Sequence, residues 1–220
     1  MTYFDIHTHH PASPGVTSIR NLLNPDTLSK DLENEGLFSA GLHPWHLHPD
    51  HWEEDLEEIR RHLNHPNLVA IGEAGLDRLV DLPLELQKDV FLATVRLSEE
   101  SKKPLIIHAV RTHAEIALLH AQLKPAQPWI IHGYNLRKTI GEGLIRQGIF
   151  LSFGAPIFEE GSPASAMLES MREDLFFLES DEAQFPLPDL YRRAAVIRGT
   201  PVEDLAAGIE KRFKKMFLHG

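Results

Sequence analysis

The sequence predicts an α/β protein, a TIM-like (β/α)8 barrel that is irregular at its start. Three observations carry this. Short apolar runs alternate with longer amphipathic stretches along all 220 residues, the pattern of parallel strands joined by helices. The apolar runs number eight, the count that lets a parallel sheet close on itself. Five of them run into His, Asp or Glu near their C-terminal ends, where barrel enzymes carry their working groups.

The first strand is expected at 3–8 (YFDIHT) and the second at 16–23 (VTSIRNLL). Only HHPASPGV lies between them. That is too short for a crossover helix, so the first helix is missing or shortened. A third strand at 37–42 (LFSAGL) precedes a helix at 51–64. Within it, EEDLEEIRRH at 53–62 reads as a solvated face with i,i+4 ion pairs. Strand, helix, strand and helix follow at 68–72, 84–102, 104–108 and 112–123, then again at 128–132, 135–147, 149–153 and 162–173. The last strand is expected at 175–179, before a helix pair at 187–198 and 202–217. Thr200, Pro201 and Glu203 have the spacing of a capping box with proline at the first helical position. No repeat, low-complexity tract or linker interrupts the chain, so residues 1–220 read as one domain. The competing architecture is an open doubly wound sheet, but no glycine-rich phosphate loop follows any strand.

Composition narrows the function. The formal charge of −10 argues against a protein that coats nucleic acid by bulk electrostatics. No stretch reaches the roughly 18 apolar residues of a membrane span, and MTYFDIHTHH has no signal-like region. The expected setting is therefore the cytoplasm, with no membrane partner. Cysteine is absent, so any metal site must use His, Asp and Glu. Fourteen histidines are present. His46, His48, His51, His62, His65 and His120 are adequately read as surface residues.

The remaining histidines fall into a pattern. Asp5, His7 and His9 alternate on one strand and share a face. Two histidines spaced i, i+2 can grip one ion, with Asp5 behind them as a hydrogen-bonding partner. LVAIG runs into Glu73, PLII into His108, PWII into His132 and FFLES into Asp181. One such residue is ordinarily a satisfied core polar group. Five strand ends carrying the right types imply a shared metal site. Six ligands exceed the needs of one tetrahedral ion and suit two divalent ions with a bridging carboxylate. Glu73 is the expected bridge. His7, His9 and Asp181 would hold one ion, and His108 and His132 the other. Zn, Mg and Mn all remain open. Asp181 is the expected proton acceptor, so Asp181 and Glu73 are the catalytic candidates. His43, Arg111 and Tyr134 are candidates for substrate contact, with Trp45 as a further stacking surface. Asp77 is expected to brace the loop behind Glu73.

DIHTHH, GLHPW, IGEAGLD, PLIIHAVR, IIHGYN, LSFG and LESD occur in that order. In this ordered set the chain resembles the TatD family of metal-dependent deoxyribonucleases, within the amidohydrolase-like barrels, from Phe4 to Phe217. The resemblance implies that His7, His9, Glu73, His108, His132 and Asp181 are metal positions. It also implies metal-dependent phosphodiester hydrolysis of DNA, often from an end. The chain departs from the family pattern in being shorter between His9 and Gly41. It carries Ser180 before the last Asp, Arg111 one place late, and Arg212 in the last helix. The expected substrate is a DNA end, a short single strand or a small phosphoester. Hydrolysis of a small amide or lactone is the nearest alternative, and a non-catalytic metal-binding scaffold the alternative of another class.

Overall fold

The apolar runs line up in chain order as one eight-stranded sheet. The strands are β1 (Tyr3–Thr8), β2 (Val16–Leu22), β3 (Leu37–Ala40), β4 (Leu68–Asp77), β5 (Leu105–Val110), β6 (Trp129–Ile131), β7 (Phe150–Phe153) and β8 (Phe176–Leu178). This computed structural model describes residues 1–171 and 175–218. Every neighbouring pair from β1 to β8 is parallel. Ile106, Ile107, Ile130, Ile131, Leu151 and Phe153 are fully buried, as expected where helices cover the outside of a parallel sheet.

The helices are α1 (Leu28–Leu32), α2 (Trp52–Arg61), α3 (Leu84–Ser101), α4 (His113–Leu123), α5 (Lys138–Arg146), α6 (Pro163–Ser170), α7 (Leu187–Arg198) and α8 (Val202–Phe213). As the sequence predicts, no helix separates β1 from β2. The five-residue α1 was not predicted. It buries only Leu28 and Leu32, a single i,i+4 pair. The predicted helix at 162–173 ends at Ser170, and its positions 172 and 173 lie outside the described residues. The predicted helix at 202–217 is α8 followed by a π-turn, Lys214–Leu218. The capping box does not form. Pro201 occupies the cap, and the buried Thr200 hydroxyl has no hydrogen-bond partner. No helix among the described residues is long and apolar enough to cross a membrane.

Two junctions position the site. At β4–β5 the backbones pack too closely for side chains. A Cβ on Gly75 would overlap His108 O, and one on Gly72 would overlap Ile106 O. At β8–β1 the ladder is almost missing, with one isolated bridge, Thr8 to Asp181. Side chains close this seam instead. The Tyr191 hydroxyl of α7 accepts from Phe4 N at 3.1 Å and donates to Phe4 O at 2.7 Å. The Ser180 hydroxyl donates to Asp5 Oδ2 at 2.6 Å and lies 2.9 Å from Thr8 Oγ1. Both devices satisfy backbone or side-chain groups that a regular ladder would leave to a neighbouring strand.

Candidate metal centre

Glu73 is the hub. The sequence predicts it at the end of the fourth strand, but β4 runs on to Asp77. Ile71 pairs with Leu105 and Ala74 with Ile107. Three steps on β4 thus match two on β5, which is a bulge. The bulge gives Glu73 its place in the middle of the strand, where it is 3% exposed. Asn21 of β2 fixes it there. Its Oδ1 accepts from Glu73 N at 2.9 Å, and its Nδ2 donates to Glu73 Oε2 at 3.4 Å.

The two oxygens of Glu73 face different imidazoles. Oε2 lies 3.1 Å from His7 Nε2 and 3.8 Å from His9 Nε2. Oε1 lies 2.7 Å from His132 Nε2, 2.8 Å from His108 Nδ1 and 3.0 Å from His43 Nε2. Asp181 joins the first set, with Oδ1 3.5 Å from His9 Nε2 and 3.6 Å from His7 Nε2. All six residues predicted as metal ligands therefore converge on one cluster. Asp181 lies beyond β8 with φ of 54°. Backbone bonds from Asp181 N to His7 O and from His9 N to Asp181 O hold it against β1.

The donor set fits divalent ions. His7 is fully buried, yet neither ring nitrogen has a hydrogen-bond partner. Such a nitrogen among carboxylates is costly unless something binds its lone pair. The potential ligand atoms of His7, His9 and Glu73 lie within 4.8 Å of one another, as do those of His7, His132 and Asp181. His43, Glu73 and His108 form a third group of this kind, but tautomers argue against His43 as a ligand. Trp45 N donates to His43 Nδ1 at 3.0 Å. The neutral ring then carries its proton on Nε2, which donates to Glu73. His43 lies within the cluster as a hydrogen-bond donor.

Electrostatics favour a charged Glu73. Burial opposes the charge, but the imidazoles of His132 and His7 and hydrogen bonds from His108 and His132 hold the carboxyl well below its usual range. Burial also opposes ionisation of Asp181, and the hydrogen bond from His9 with the charges of His132 and His7 holds it low. For His132, burial is outweighed by Glu73 and Glu179, which push the ring well up.

Carboxylates behind the cluster orient the rings. Asp77 Oδ2 lies 3.1 Å from His108 Nε2 and accepts from Trp45 Nε1 at 2.8 Å. Asp77 thus braces an imidazole rather than only a loop. Glu179 is fully buried, accepts from Gly133 N, and lies 3.6 Å from His132 Nδ1. Neither Glu179 nor Asn21 was singled out from sequence. Each is a polar residue at or within an apolar strand, and that was the available signal. Asp5 is buried behind His7, as expected. Burial pushes its carboxyl up to about 7 despite hydrogen bonds from Ser180.

The substrate candidates divide. Arg111 is exposed just past β5, with φ of 55°. Tyr134 is a correction. It is 1% exposed, and its hydroxyl donates to Arg137 O at 3.0 Å, so its ring is core and not a stacking surface. Trp45 is 58% exposed beside His43 and His108. KRFKK belongs to α8 and its π-turn, where Arg212 Nε donates to Phe176 O at the start of β8, the end away from the cluster.

A YabD protein of Bacillus subtilis (strain 168), described as an uncharacterized metal-dependent hydrolase, is 30% identical over 152 residues. The match covers 68% of this chain and 60% of that protein. A protein described as the 3'-5' ssDNA/RNA exonuclease TatD of Erwinia tasmaniensis is 27% identical over 187 residues, covering 74% of this chain and 71% of its own. Among solved structures, YJJV, a TatD homolog from Escherichia coli K12, superposes with a TM-score of 0.84. It shares 21% identity over 98% of each chain. The family model described as TatD related DNase matches residues 12–218, nearly the whole barrel and all of the cluster except His7 and His9, and the chain belongs to that family.

Proposed function

We propose that residues 1–220 form a single divalent-metal-dependent hydrolase domain, a phosphodiesterase acting on DNA ends or short single strands. The observation that carries this is the buried Glu73 carboxylate, whose two oxygens face separate imidazole sets. His7, His9 and Asp181 would hold one ion and His108 and His132 the other, with Glu73 between them. Bound divalent ions polarise a phosphodiester and supply a water-derived nucleophile near neutral pH. Asp181 is the partly exposed acid of the cluster, and with its lowered pKa it is ionised at neutral pH. It takes the proton of the attacking water and passes it toward the leaving oxygen. His43 donates to Glu73, and Asp77 and Glu179 fix His108 and His132. Arg111 is the candidate for contact with a substrate phosphate. Zn, Mn or Mg could fill the site, and the cytoplasm is the compartment this reading assumes.

The net charge of −10 favours ends and short strands over long duplex, because it leaves no basic footprint for a tract of phosphates. The test uses metal-stripped protein reconstituted with Mn²⁺, Mg²⁺ or Zn²⁺ and offered end-labelled single strands, blunt duplex and covalently closed circles. Metal-dependent cutting that is fastest on single-stranded ends is expected. Equal or faster cutting of the closed circle defeats the end preference. Turnover of a small amide, lactone or phosphoester with no DNA cut transfers the site to that chemistry, and no turnover of any substrate leaves a metal-binding scaffold.

A further inference from the structure

The cleft at Glu73 encloses about 90 Å³. Beside it lies a cavity of about 620 Å³, within the roughly 300–1,000 Å³ typical of small-molecule sites. It lies between the helix-free β1–β2 connection and the segment from β8 into α7. The two spaces share a wall. His9 and Glu182 line the cleft, while His10 and Ala183 line the cavity. His10 Nε2 lies 2.9 Å from Glu182 O. The cavity wall therefore picks up at His10, next after His9, and at Ala183, two residues after Asp181, on the two sides of the seam.

Its lining selects a chemical class. Among the described residues that line it, none is Lys or Arg, the side chains that ordinarily seat a phosphate. Its one carboxylate is already engaged. Asp5 Oδ1 accepts from His7 N at 3.3 Å and Ser180 N at 3.1 Å, and Oδ2 accepts from the Ser180 hydroxyl at 2.6 Å. An anion finds no fixed positive charge here, and the one imidazole, His10, turns its Nε2 to Glu182 O. Pro11, Pro14, Pro186, Pro188, Phe185 and Leu187 supply flat apolar walls. The hydroxyls of Ser13 and Ser18 and the amide of Gln184 supply neutral donors and acceptors. Flat apolar walls edged by neutral hydrogen-bonding groups suit an uncharged planar heterocycle.

We propose that this cavity seats the terminal nucleobase of the substrate while the adjoining phosphodiester reaches the cleft at Glu73. The inference rests on the reading of the chain as a hydrolase of nucleic-acid ends. A terminal base leaves its stack at least cost, so a base chamber beside the cleft gives the end preference a structural cause.

Adenosine is titrated calorimetrically into the metal-loaded protein and into two variants that fill the cavity from opposite walls, Ala183→Trp and Ser13→Trp. Ala12→Trp, on the same connection but outside the lining, is the control. Adenosine should bind the wild type and the control alike, and each cavity variant should weaken it about tenfold or more. In parallel, wild-type enzyme cuts oligonucleotides with an intact or an abasic terminal residue, at either end. The abasic end should be cut about tenfold more slowly or worse, and both cavity variants should erase the difference. Failure of adenosine to bind, binding indifferent to both cavity variants, or equal cutting of intact and abasic ends overturns the chamber. If no oligonucleotide is cut while adenosine binding follows the expected pattern, the chamber stands and the hydrolase reading falls.

Discussion

The β4–β5 junction and the β8–β1 seam both supply the candidate metal cluster, and they are built by opposite means. At β4–β5 two glycines bring the backbones into direct contact, and the bulge at Gly72 and Glu73 sets the carboxylate by main-chain geometry. At β8–β1 one bridge remains of the ladder, and side chains do the joining. Glu73 and His108 stand on the first wall, His7, His9 and Asp181 on the second. A barrel can thus tolerate a missing helix and a nearly unpaired seam if polar side chains meet the strand edges. The wall made this way depends on single hydroxyls, and the other depends on the absence of side chains.

The largest effects should come from the residues that join the walls. Glu73→Gln removes the one group that faces both imidazole sets, and Asp181→Asn removes the acid of the seam. Each should lower turnover by about 10²–10⁴-fold in metal-saturated, folded protein. Glu73→Gln should also weaken metal binding to both walls, and Asp181→Asn to the seam side alone. Single-turnover rates and metal titrations measure the two. A folded Asp181→Asn variant as fast as wild type would remove Asp181 as the base.

Next come changes of stability at each junction. Gly75→Ala forces a methyl into His108 O and should cost about 3 kcal/mol, at the high end of overpacking, because backbone must move. Tyr191→Phe strips the partner of Phe4 N and Phe4 O and should cost about 1–3 kcal/mol. Urea midpoints give both values. Amide exchange separates them further. Phe4 N–H should lose protection in Tyr191→Phe while the β4–β5 amides keep theirs. Loss of protection at both junctions together would mean that the two walls are one cooperative unit.

The contrast also explains what sequence made visible. His7 lies on β1 and His9 one residue past its end, so the two-residue period of the strand aligned them. His108 and His132 follow apolar runs, and the end of a run is easy to see. Glu73 followed LVAIG in the same way, yet it lies inside a longer strand. A bulge adds a residue without changing composition, and the flanking Gly72 and Gly75 were its only trace. Glu179 and Asn21 escaped notice because a lone buried polar residue is ordinarily a satisfied one. The α1 helix is shorter than two turns and has no period to read. Tyr134 sits two residues after His132, which says nothing of which way its ring turns. It turned inward, against Phe153 and His113.

The last expected effect is one of sign. Each junction has a titrating group near it, buried Asp5 or half-buried His113, and loss of water moves the two in opposite directions. His113, at the start of α4 beyond β5, is lowered by burial from 6.5 to about 4. Its contribution to stability is complete above pH 6.5 and is lost as pH falls toward 4, because the unfolded chain takes up the proton first. Asp5, in the seam, is raised by burial from 3.8 to about 7. Its contribution is complete below pH 3.8 and is lost as pH rises through 7, because the unfolded chain releases the proton first. Between about pH 4 and 6.5 the two slopes oppose each other, each at most about 1.4 kcal/mol per pH unit. Metal-free protein carrying His113→Gln should therefore lose stability relative to wild type as pH rises through this window, because compensation from the β5 side is gone. Asp5→Asn should gain relative to wild type over the same rise. Urea midpoints taken across the window give the two difference curves. Curves of opposite slope mean that each junction carries its own proton linkage. Parallel curves would mean that neither group is held by its junction, and the division of the barrel into two kinds of wall would lose its electrostatic half.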